Sequence, residues 1–461
     1  MSDTSGAWIG RTAIEMAAAV RAGEVSAREV VGQHLDRIAA LDGRVGAFVR
    51  VRADDALVEA DSVDARPDRS ELPLAGVPIA IKDNIAVAGE PMRSGSAATP
   101  ATPQAVDHPV VARLRAAGAV VVGQTNLPEL GIYPFSDSVY GTSRNPWNLE
   151  VTAGGSSGGA AAAVAAGMVP IAHGNDGAGS IRIPAADCGL FGFKPGTGLV
   201  PAEIGPDSWD GMSENGPLTT TVADAALMLA VMAGADVAGA DPEPAGIRVA
   251  LSVKPPVAGI VVHREFKASV GAAGRLLRGL GYAVEPAEPK YPLWAALAVN
   301  SRWLALPARD AAPYLADPKL RGRLETRTVR HARAGRIAAA VRPPRDTDRS
   351  RFRAAMAPFF DRFDVVVMPT LAQPAPAARR WGQGSWSSSF VTSGRYAPMT
   401  VAWNLAGYPA ATVPMGEGPN GLPSAVQLVG RPGSESLLLA VAARIEQARP
   451  WPRHAPAFTV R

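Results

Sequence analysis

The chain has 461 residues, of which 47% are hydrophobic and 19% are charged, and its formal net charge is +4. This composition is typical of a globular chain with a large core and excludes a disordered or low-complexity protein. The charge is mild for this length and gives no indication of nucleic-acid binding, and because no run of 18 apolar residues occurs we expect no membrane span.

The predicted elements begin with two helices. Residues 1–10, MSDTSGAWIG, have neither a basic start nor an apolar run, so we expect no signal peptide. Apolar residues at helical spacing predict helices within 12–23 and 26–41, with Ser26 or a neighbour capping the second. The run 73–85, PLAGVPIAIKDNI, is rich in strand-forming residues and is bounded by Pro and Gly, which predicts a short strand.

Helix and strand patterns then alternate along the chain. Residues 108–126 predict a helix followed by the buried strand AVVVG. Residues 246–285 repeat the pattern, with a helix between GIRVALS and GYAVE, and 363–370 and 409–415 are further buried strands. The alternation predicts an α/β fold, with a central mixed sheet covered by helices on both faces.

Arginine is concentrated in residues 321–353, which hold eleven arginines against three acidic residues. Two interpretations remain open: a solvated pair of helices, or a patch for an acidic partner such as RNA. Phe352 is the only Phe, Tyr or Trp in this segment, which argues against base stacking. We therefore expect no nucleic-acid partner.

Cysteine and histidine are too sparse for a disulfide framework or a metal site. Cys188 is the only cysteine, which excludes an intrachain disulfide and favours a reducing, cytoplasmic location. The six histidines show no metal-ligand spacing such as HExxH. We expect no metal and no cofactor, and we expect His173 and Cys188 to serve in packing or as pocket walls.

The stretch 152–167, TAGGSSGGAAAAVAAG, places flexible residues directly before a helix-forming run. Its glycines suit a tight loop and its alanines a slim buried helix, so the loop would display a serine at a helix start. No lysine follows the glycines, which excludes a phosphate loop. The pattern G-x-S-x-G of a nucleophile elbow fits around Ser156 and around Ser157. An elbow needs a strand directly before its serine, whereas residues 145–153 are predicted as loop, which argues against an elbow. A Gly/Ser turn without chemistry is the remaining alternative.

A second small-residue loop and an unusual lysine extend this pattern. Consecutive N–H groups in 176–180, DGAGS, can point into one concavity and hold a developing negative oxygen beside Ser180. Lys82 ends an apolar strand, where lysine is rarely buried without a partner. Burial would lower its pKa from about 10.4 and let the neutral amine act as a base. The alternative is a lysine at a sheet edge whose amine reaches water.

Taken together, these segments resemble the amidase signature family of serine hydrolases. The resemblance covers nearly the whole chain and is strongest in 76–84, 141–148, 153–167 and 176–196. Weaker support comes from the segments NGPLTTTVADAALML, NLAGYPAATVP and GLPSAVQLVG. The order of the motifs and the spacing of the lysine and the two serines are also similar to those of the family.

The resemblance implies a catalytic role for three side chains. Ser180 matches the nucleophile, Lys82 matches the general base, and Ser156 matches a bridging serine held through a cis Gly155–Ser156 peptide bond. Neutral Lys82 would take a proton from Ser156, which would take one from Ser180. Ser180 would then attack an amide carbonyl, and water would hydrolyse the resulting acyl-enzyme.

The resemblance also implies supporting positions. The backbone N–H groups that match the oxyanion hole are those of Gly177, Ala178, Gly179 and Ser180. The side chains that match loop-supporting positions are Ser157, Asp176 and Arg182. Many relatives have a glycine where this chain has Ala178. If the oxyanion hole of this chain differs in geometry from theirs, we expect the difference at Ala178. We expect the substrate pocket to draw on 128–138, 200–215 and 300–400, with walls from Leu130, Gly131, Tyr133, Trp209 and Trp403.

By this resemblance the chain is a free-standing amidase, which hydrolyses a small carboxamide or an aryl or alkyl amide to a carboxylic acid plus ammonia or amine. Two alternatives stay open: the glutamine-hydrolysing subunit of the tRNA-dependent amidotransferase, and a non-catalytic binding protein on the same fold. We expect one amidase domain over 1–461, with N-terminal helices in 1–70, the signature core in 73–200 and the rest of the sheet and pocket in 201–461. The expected partner is a small-molecule amide, and the family suggests a homodimer.

Overall fold

The computed structural model describes residues 8–237 and 246–459, so residues 1–7 of the N-terminal stretch lie outside the described residues. The α-helices are α1 (Ala13–Ala22), α2 (Ala27–Val45), α3 (Ala53–Asp64), α4 (Pro109–Ala116), α5 (Gly158–Ala165), α6 (Arg182–Cys188), α7 (Ser208–Gly211), α8 (Val222–Ala233), α9 (Arg264–Gly279), α10 (Leu293–Ala316), α11 (Pro318–Arg321), α12 (Thr326–Val341), α13 (Asp346–Phe360), α14 (Trp386–Tyr396), α15 (Val401–Ala406) and α16 (Glu435–Ala448). The strands are β1 (Phe48–Val51), β2 (Pro78–Lys82), β3 (Val120–Thr125), β4 (Asp137–Ser138), β5 (Gly141–Thr142), β6 (Arg144–Asn145), β7 (Asn148–Thr152), β8 (Ile171–Asp176), β9 (Phe191–Lys194), β10 (Glu214–Thr219), β11 (Arg248–Leu251), β12 (Ala283–Pro286), β13 (Val365–Pro369), β14 (Ala410–Glu417) and β15 (Pro423–Gly430).

One mixed sheet organises these elements, with the strand order β1-β3-β2-β8-β10-β9-β14-β15-β13-β11-β12. The pairs β3–β2, β2–β8, β13–β11 and β11–β12 are parallel, and the strands between β8 and β13 pair antiparallel. The short pairs β4–β5 and β6–β7 stand apart from this sheet. The parallel triplet at one side contains the strand that ends in Lys82.

Both faces of the sheet are covered by apolar packing. Successive residues of a strand point to opposite faces. In β13, Val365 and Val367 belong to one buried hydrophobic cluster, whereas Val366 and Met368 belong to another. The first cluster also takes residues from α1, α2, α5, α8 and α16, and the second takes residues from α10, α13 and α15. The predicted single α/β domain with a mixed sheet is confirmed. No helix among the described residues is long and apolar enough to cross a membrane.

Most elements that the sequence predicts are present, and Ser26 caps α2 by accepting a hydrogen bond from the Glu29 N–H at 3.0 Å. The prediction of a loop over 145–153 is wrong, because Asn148–Thr152 forms β7 in a two-stranded ribbon with β6. That strand ends four residues before Ser156, so the arrangement still differs from a nucleophile elbow.

The arginine-rich segment forms a pair of helices, α12 and α13, but it is less solvated than a surface pair would be. Arg327 is fully buried, and its guanidinium contacts Asp137 at 3.1 Å and Glu325 at 2.9 Å. Arg342 reaches Asp348 at 3.0 Å. Part of this positive charge is therefore neutralised inside the fold rather than presented to a partner.

The alanine-rich helix α5 is wholly buried and carries the Gly/Ser loop at its N-terminal end. Gly159 brings this helix against neighbouring backbone. A Cβ at Gly159 would collide with the carbonyl oxygen of Ala47 and would lie 2.5 Å from the amide nitrogen of Asn126. The close approach explains why a glycine, rather than another alanine, occupies the second position of α5.

We predict that Gly159→Ala destabilises the fold by about 3 kcal/mol, because the added methyl has only backbone to displace. Chemical denaturation followed by circular dichroism measures the change. Gly43→Ala is the matched control, since Gly43 is an exposed position of α2 with nothing within 4 Å of an added Cβ. We expect it to be neutral or stabilising by up to about 1 kcal/mol. Equal stability of the two variants would contradict the packing argument.

Candidate active site

Three segments meet at one end of the parallel triplet. Lys82 is the last residue of β2, and Asp176 is the last residue of the neighbouring parallel strand β8. Ser156 precedes the first turn of α5, and Ser180 lies in the loop between β8 and α6. Because parallel strands end at the same edge of a sheet, the topology brings the lysine and both serine loops together.

The Lys82 amine is buried among neutral oxygens. Its Nζ donates to Ser156 Oγ at 2.8 Å and to Asn175 Oδ1 at 2.7 Å, and the side chain has no exposed surface. Burial lowers the pKa of Lys82 to about 7, although the charge of Asp176 opposes this shift. An amine that is largely neutral slightly above pH 7 can accept a proton from the hydroxyl beside it. The alternative of a lysine that reaches water is wrong.

The two serine loops are joined by Ser157. Its N–H donates to the Ser180 carbonyl oxygen at 3.1 Å, and its hydroxyl donates to the Asn175 carbonyl oxygen at 3.2 Å. The Gly155–Ser156 peptide bond is cis, as the resemblance implies. Ser180 is half-buried and lines the same cavity as Ser156, but its hydroxyl makes no hydrogen bond to any described residue. The structure therefore joins Lys82 to Ser156 directly, and it places Ser180 at the same cavity as Ser156 without a hydrogen bond between the two hydroxyls.

The loop of 176–180 offers three unoccupied backbone donors. The N–H groups of Gly177, Ala178 and Ser180 bond to no group in the described part of the chain. The N–H of Gly179 differs from its neighbours, because it donates to Asp176 Oδ1 at 2.6 Å. Gly179 has φ 120°, where a side chain is strained, and a Cβ there would collide with Thr400.

Ala178, the residue at which we expected any difference in the oxyanion loop, lines the apolar cavity described below. Its carbonyl oxygen accepts a hydrogen bond from Thr400 Oγ1 at 2.7 Å. This hydrogen bond fixes the peptide plane between Ala178 and Gly179. The loop is therefore held by Thr400 even though position 178 is an alanine.

A buried ion pair fixes the geometry of this loop. Arg182 binds Asp176 through two parallel contacts, Nε to Oδ2 and Nη2 to Oδ1, each of 2.9 Å. Burial would raise the pKa of the Asp176 carboxyl, but the charge and hydrogen bonds of Arg182 hold it well below its usual range. The carboxylate also accepts the N–H groups of Gly179 and Ile181. Asp176 and Arg182 thus hold the loop through these contacts.

Sequence reasoning missed several polar partners of these residues. Asn404 Oδ1 and Gln427 Oε1 each accept from Arg182 at 2.5 Å, and Asn404 Nδ2 donates to Asp176 Oδ1 at 2.8 Å. Both lie in the weaker segments NLAGYPAATVP and GLPSAVQLVG, so those segments were the available signal. Asn175, whose side-chain amide oxygen accepts from Lys82, directly precedes Asp176. Its position next to the small-residue loop was the signal by which the sequence could have identified it.

The nearby histidine and cysteine have structural roles. Nδ1 of His173 accepts the Lys82 backbone N–H at 3.4 Å, and Nε2 lies 2.9 Å from Asn215 Oδ1. Burial lowers the pKa of His173 to about 3, so the ring is neutral. Burial raises the pKa of the Cys188 thiol, whose Sγ lies 3.6 Å from the Ala153 carbonyl oxygen. Among the residues of 8–237 and 246–459, no three His, Cys, Asp or Glu side chains are grouped to hold a metal ion.

Two cavities meet at Ser180. The first has a volume of about 280 Å³ and is mainly apolar, and its walls include Ile132, Tyr133, Val299, Trp303, Phe390 and Val401. The second has a volume of about 190 Å³ and contains more polar groups, including Asn84, Ser156, Asn175, Ser213, Asp310 and Tyr314. Gly131 and Trp209 line both cavities. A molecule whose reacting carbon lies at Ser180 could therefore extend in two chemically different directions.

Four of the five predicted wall residues lie at these cavities. Leu130 and Gly131 line the polar cavity, and Tyr133 and Trp209 line the apolar one. The prediction for Trp403 is wrong. Its ring is fully buried in the core, where it packs against Phe360 and Tyr408, and its Nε1 lies 3.2 Å from Met368 Sδ.

Comparison with known proteins supports the same family. The family model described as Amidase matches residues 29–439. The chain is 42% identical over 453 residues to "Putative amidase AmiB2" of Mycobacterium tuberculosis (strain ATCC 25618 / H37Rv), which covers 95% of this chain and 96% of that protein. It is 34% identical over 485 residues to the "Acylamidase" of Rhodococcus erythropolis, with 98% and 97% covered.

Solved structures agree with the sequence comparisons. A 6-aminohexanoate cyclic dimer hydrolase complexed with substrate superposes with a TM-score of 0.85 at 27% identity, covering 98% of this chain and 99% of that one. A bacterial aryl acylamidase of the amidase signature family superposes with a TM-score of 0.82 at 28% identity, covering 96% of each chain. The chain belongs to the amidase signature family. It is an amidase, a hydrolase of amide C–N bonds, in a family whose general route is a serine acyl-enzyme.

We predict that Arg182→Lys destabilises the protein by about 3–5 kcal/mol, because an ammonium cannot reproduce the two-pronged contact and leaves buried oxygens unpaired. The midpoint of urea denaturation measures the change. Arg28→Lys is the matched control, because Arg28 pairs with Asp61 on the surface, where about half of each side chain is exposed. We expect the control to change stability by less than about 1 kcal/mol. A small effect of Arg182→Lys would show that the ion pair does not hold the loop.

Proposed function

We propose that this amidase is free-standing and uses Ser180 as its nucleophile, Ser156 as a proton relay and Lys82 as its general base. The observation that carries this assignment is the 2.8 Å contact between Lys82 Nζ and Ser156 Oγ. Lys82 is fully buried, so its amine is not exposed to water. A hydroxyl beside a buried amine whose pKa is about 7 is an activated relay at neutral pH.

The proposed reaction begins when Lys82 Nζ accepts the Ser156 hydroxyl proton while Ser156 accepts that of Ser180. Ser180 Oγ bonds to the amide carbon, and the carbonyl oxygen becomes an oxyanion. The C–N bond then breaks as the nitrogen takes a proton from Ser156, which Lys82 re-supplies. Water attacks the acyl-enzyme by the same relay and releases the acid. Substrate binding must bring Ser180 Oγ within reach of Ser156, since catalytic hydrogen bonds often tighten only in the complex.

We assign the oxyanion hole to the N–H groups of Gly177, Ala178 and Ser180. These donors are not used by any described group, and the loop that carries them is fixed by Asp176. Because the Gly179 N–H is committed to Asp176, its contribution is to hold the loop rather than to bind the oxyanion.

The two cavities suggest how a substrate is oriented. Ser156 lines the polar cavity, and the leaving nitrogen must receive its proton from Ser156. The amine portion therefore occupies the polar cavity. The acyl portion extends into the apolar cavity beside Tyr133 and Val299, which is large enough for an aryl or medium alkyl group.

Two other expectations enter this proposal. The names of the relatives, amidase and acylamidase, favour a free-standing amidase over an amidotransferase subunit and over a non-catalytic protein. The single buried thiol of Cys188 supports the proposed cytoplasmic location. A homodimer stays a prediction.

We predict that kcat/KM for an anilide rises with pH and levels off above a midpoint of about 7. Lys82 must be neutral to accept a proton, so the active fraction of the enzyme grows as pH passes the lysine pKa. Initial rates with purified protein between pH 5 and 9 measure the profile. Ser180→Ala and Lys82→Met should each lower turnover by at least about a thousandfold, with unchanged circular dichroism. Full turnover of either variant would overturn the assignment.

We predict that Val299→Phe, which fills part of the apolar cavity, lowers kcat/KM for a phenylacetyl anilide about tenfold more than for an acetyl anilide. The larger acyl group needs the space that the new ring occupies. Parallel assays of the two substrates measure the ratio. Val58→Phe is the matched control, because Val58 is an exposed residue of α3, and it should leave the ratio unchanged. An equal loss for both substrates would place the acyl group elsewhere.

A further inference from the structure

A carboxylate without an ion-pair partner lies in the polar cavity. Asp310, on α10, accepts a hydrogen bond at Oδ2 from Trp209 Nε1 at 2.8 Å. Within the described part of the chain it forms no salt bridge. The adjacent Arg309 is turned away, because its guanidinium pairs with Asp207 at 2.9 Å. Asp310 is therefore a carboxylate without a direct ion-pair partner among the described residues, although Arg309 acts on its charge from a distance.

There is room for at least one further carbon atom beside Asp310 Oδ1. Gly205 lies next to it, and even a Cβ added at Gly205 would remain 3.5 Å from that oxygen. Gly205, Tyr314 and Asp310 line the same cavity as Ser156 and Ser180. Oδ1, the carboxylate oxygen that Trp209 does not contact, therefore belongs to a residue that lines the cavity we assign to the amine portion of a substrate.

Trp209 connects this carboxylate to the reacting centre. Its backbone is held in the left-handed region, with φ 52°, and its ring lines both cavities. A Cβ at Gly177 would lie 2.9 Å from Trp209 Cε3, so the ring packs directly against the loop that carries the proposed oxyanion donors. One indole thus contacts that loop on one side and orients Asp310 on the other.

We propose that Asp310 is a specificity-determining residue, which selects amides whose amine portion carries an ammonium or similar cationic group beyond the scissile nitrogen. This inference rests on the proposed function, which places the amine portion in the polar cavity. A partly desolvated carboxylate favours a cationic partner over a neutral one, because the cation supplies both charge and hydrogen-bond donors.

The charge of Asp310 is present at working pH. Burial raises its pKa to about 6, the Trp209 hydrogen bond opposes this shift, Asp207 adds to it, and Arg309 opposes it. The group is therefore mainly ionised at pH 8, where the Lys82 amine is mainly neutral. A cationic substrate and the proposed relay are compatible at that pH.

The test compares two amides that differ in charge but have similar shapes. One is 4-(aminomethyl)aniline acylated with phenylacetyl at the aniline nitrogen, which leaves the aminomethyl group as a cation. The other is the phenylacetyl amide of 4-ethylaniline, which is neutral. At pH 8 we expect the wild-type enzyme to prefer the cationic amide by about tenfold in kcat/KM. In Asp310→Asn, which keeps an oxygen for Trp209 Nε1 and removes the charge, the ratio should fall to about one. Asp36→Asn is the matched control, because Asp36 is an exposed carboxylate of α2, and it should keep the wild-type ratio. A wild-type ratio near one, or an unchanged ratio in Asp310→Asn, would overturn the proposal.

Binding separates this inference from the catalytic assignment. Calorimetry with Ser180→Ala measures the affinity for both amides without turnover, and we expect the cationic amide to bind about tenfold more tightly. Adding Asp310→Asn should remove that difference. Absent turnover of both amides by the wild type, together with this binding difference, would reject the proposed reaction and retain Asp310 as a cation-binding residue. Equal affinities would reject the role of Asp310 whatever the turnover.

Discussion

The candidate active site depends on the Lys82 amine, which is buried away from water and has no direct ion-pair partner in the described part of the chain. Lys82 lies at the end of a fully buried strand and contacts a hydroxyl and an amide oxygen, Ser156 Oγ and Asn175 Oδ1. A nearby carboxylate would normally restore the lysine's high pKa. Here Asp176 is paired with Arg182, which offsets part of its charge. The same ion pair therefore fixes the loop geometry and limits the pull of Asp176 on the lysine proton.

The glycines and alanines around the site allow the close packing that buries the Lys82 amine. α5 packs closely against neighbouring backbone because Gly159 has no side chain, and this brings Ser156 and Ser157 over the ends of β2 and β8. Ser157 then ties the first serine loop to Ser180 through backbone contacts. The glycines and alanines thus allow polar groups to be placed at hydrogen-bond distance inside an otherwise apolar core.

The local features of the site could be predicted from the sequence, whereas its long-range partners could not. Lys82, Ser156 and Ser180 stand in short motifs whose residue types suggest chemistry. Strands β8 and β10 were missed, because IAHGND and ENGPLT are buried stretches without a strand-like alternation of apolar and polar residues, and only their sheet neighbours define them. Trp403 was misplaced because an aromatic residue near a motif fits a core as well as a pocket.

The residues that we propose for specificity lie on a different part of the chain from those that we propose for catalysis. Val299 in the apolar cavity and Asp310 in the polar cavity both belong to α10, roughly 16 Å apart at a rise of 1.5 Å per residue. Between them, the buried Arg302 anchors the helix to Asp348 at 2.8 Å and to Asp210, the neighbour of Trp209, at 3.0 Å. One helix outside the signature motifs therefore contributes walls to both cavities. Trp209 lies between the 176–180 loop and Asp310 of α10. We therefore expect substitutions on this helix to change the accepted amide while the lysine and the two serines keep their geometry.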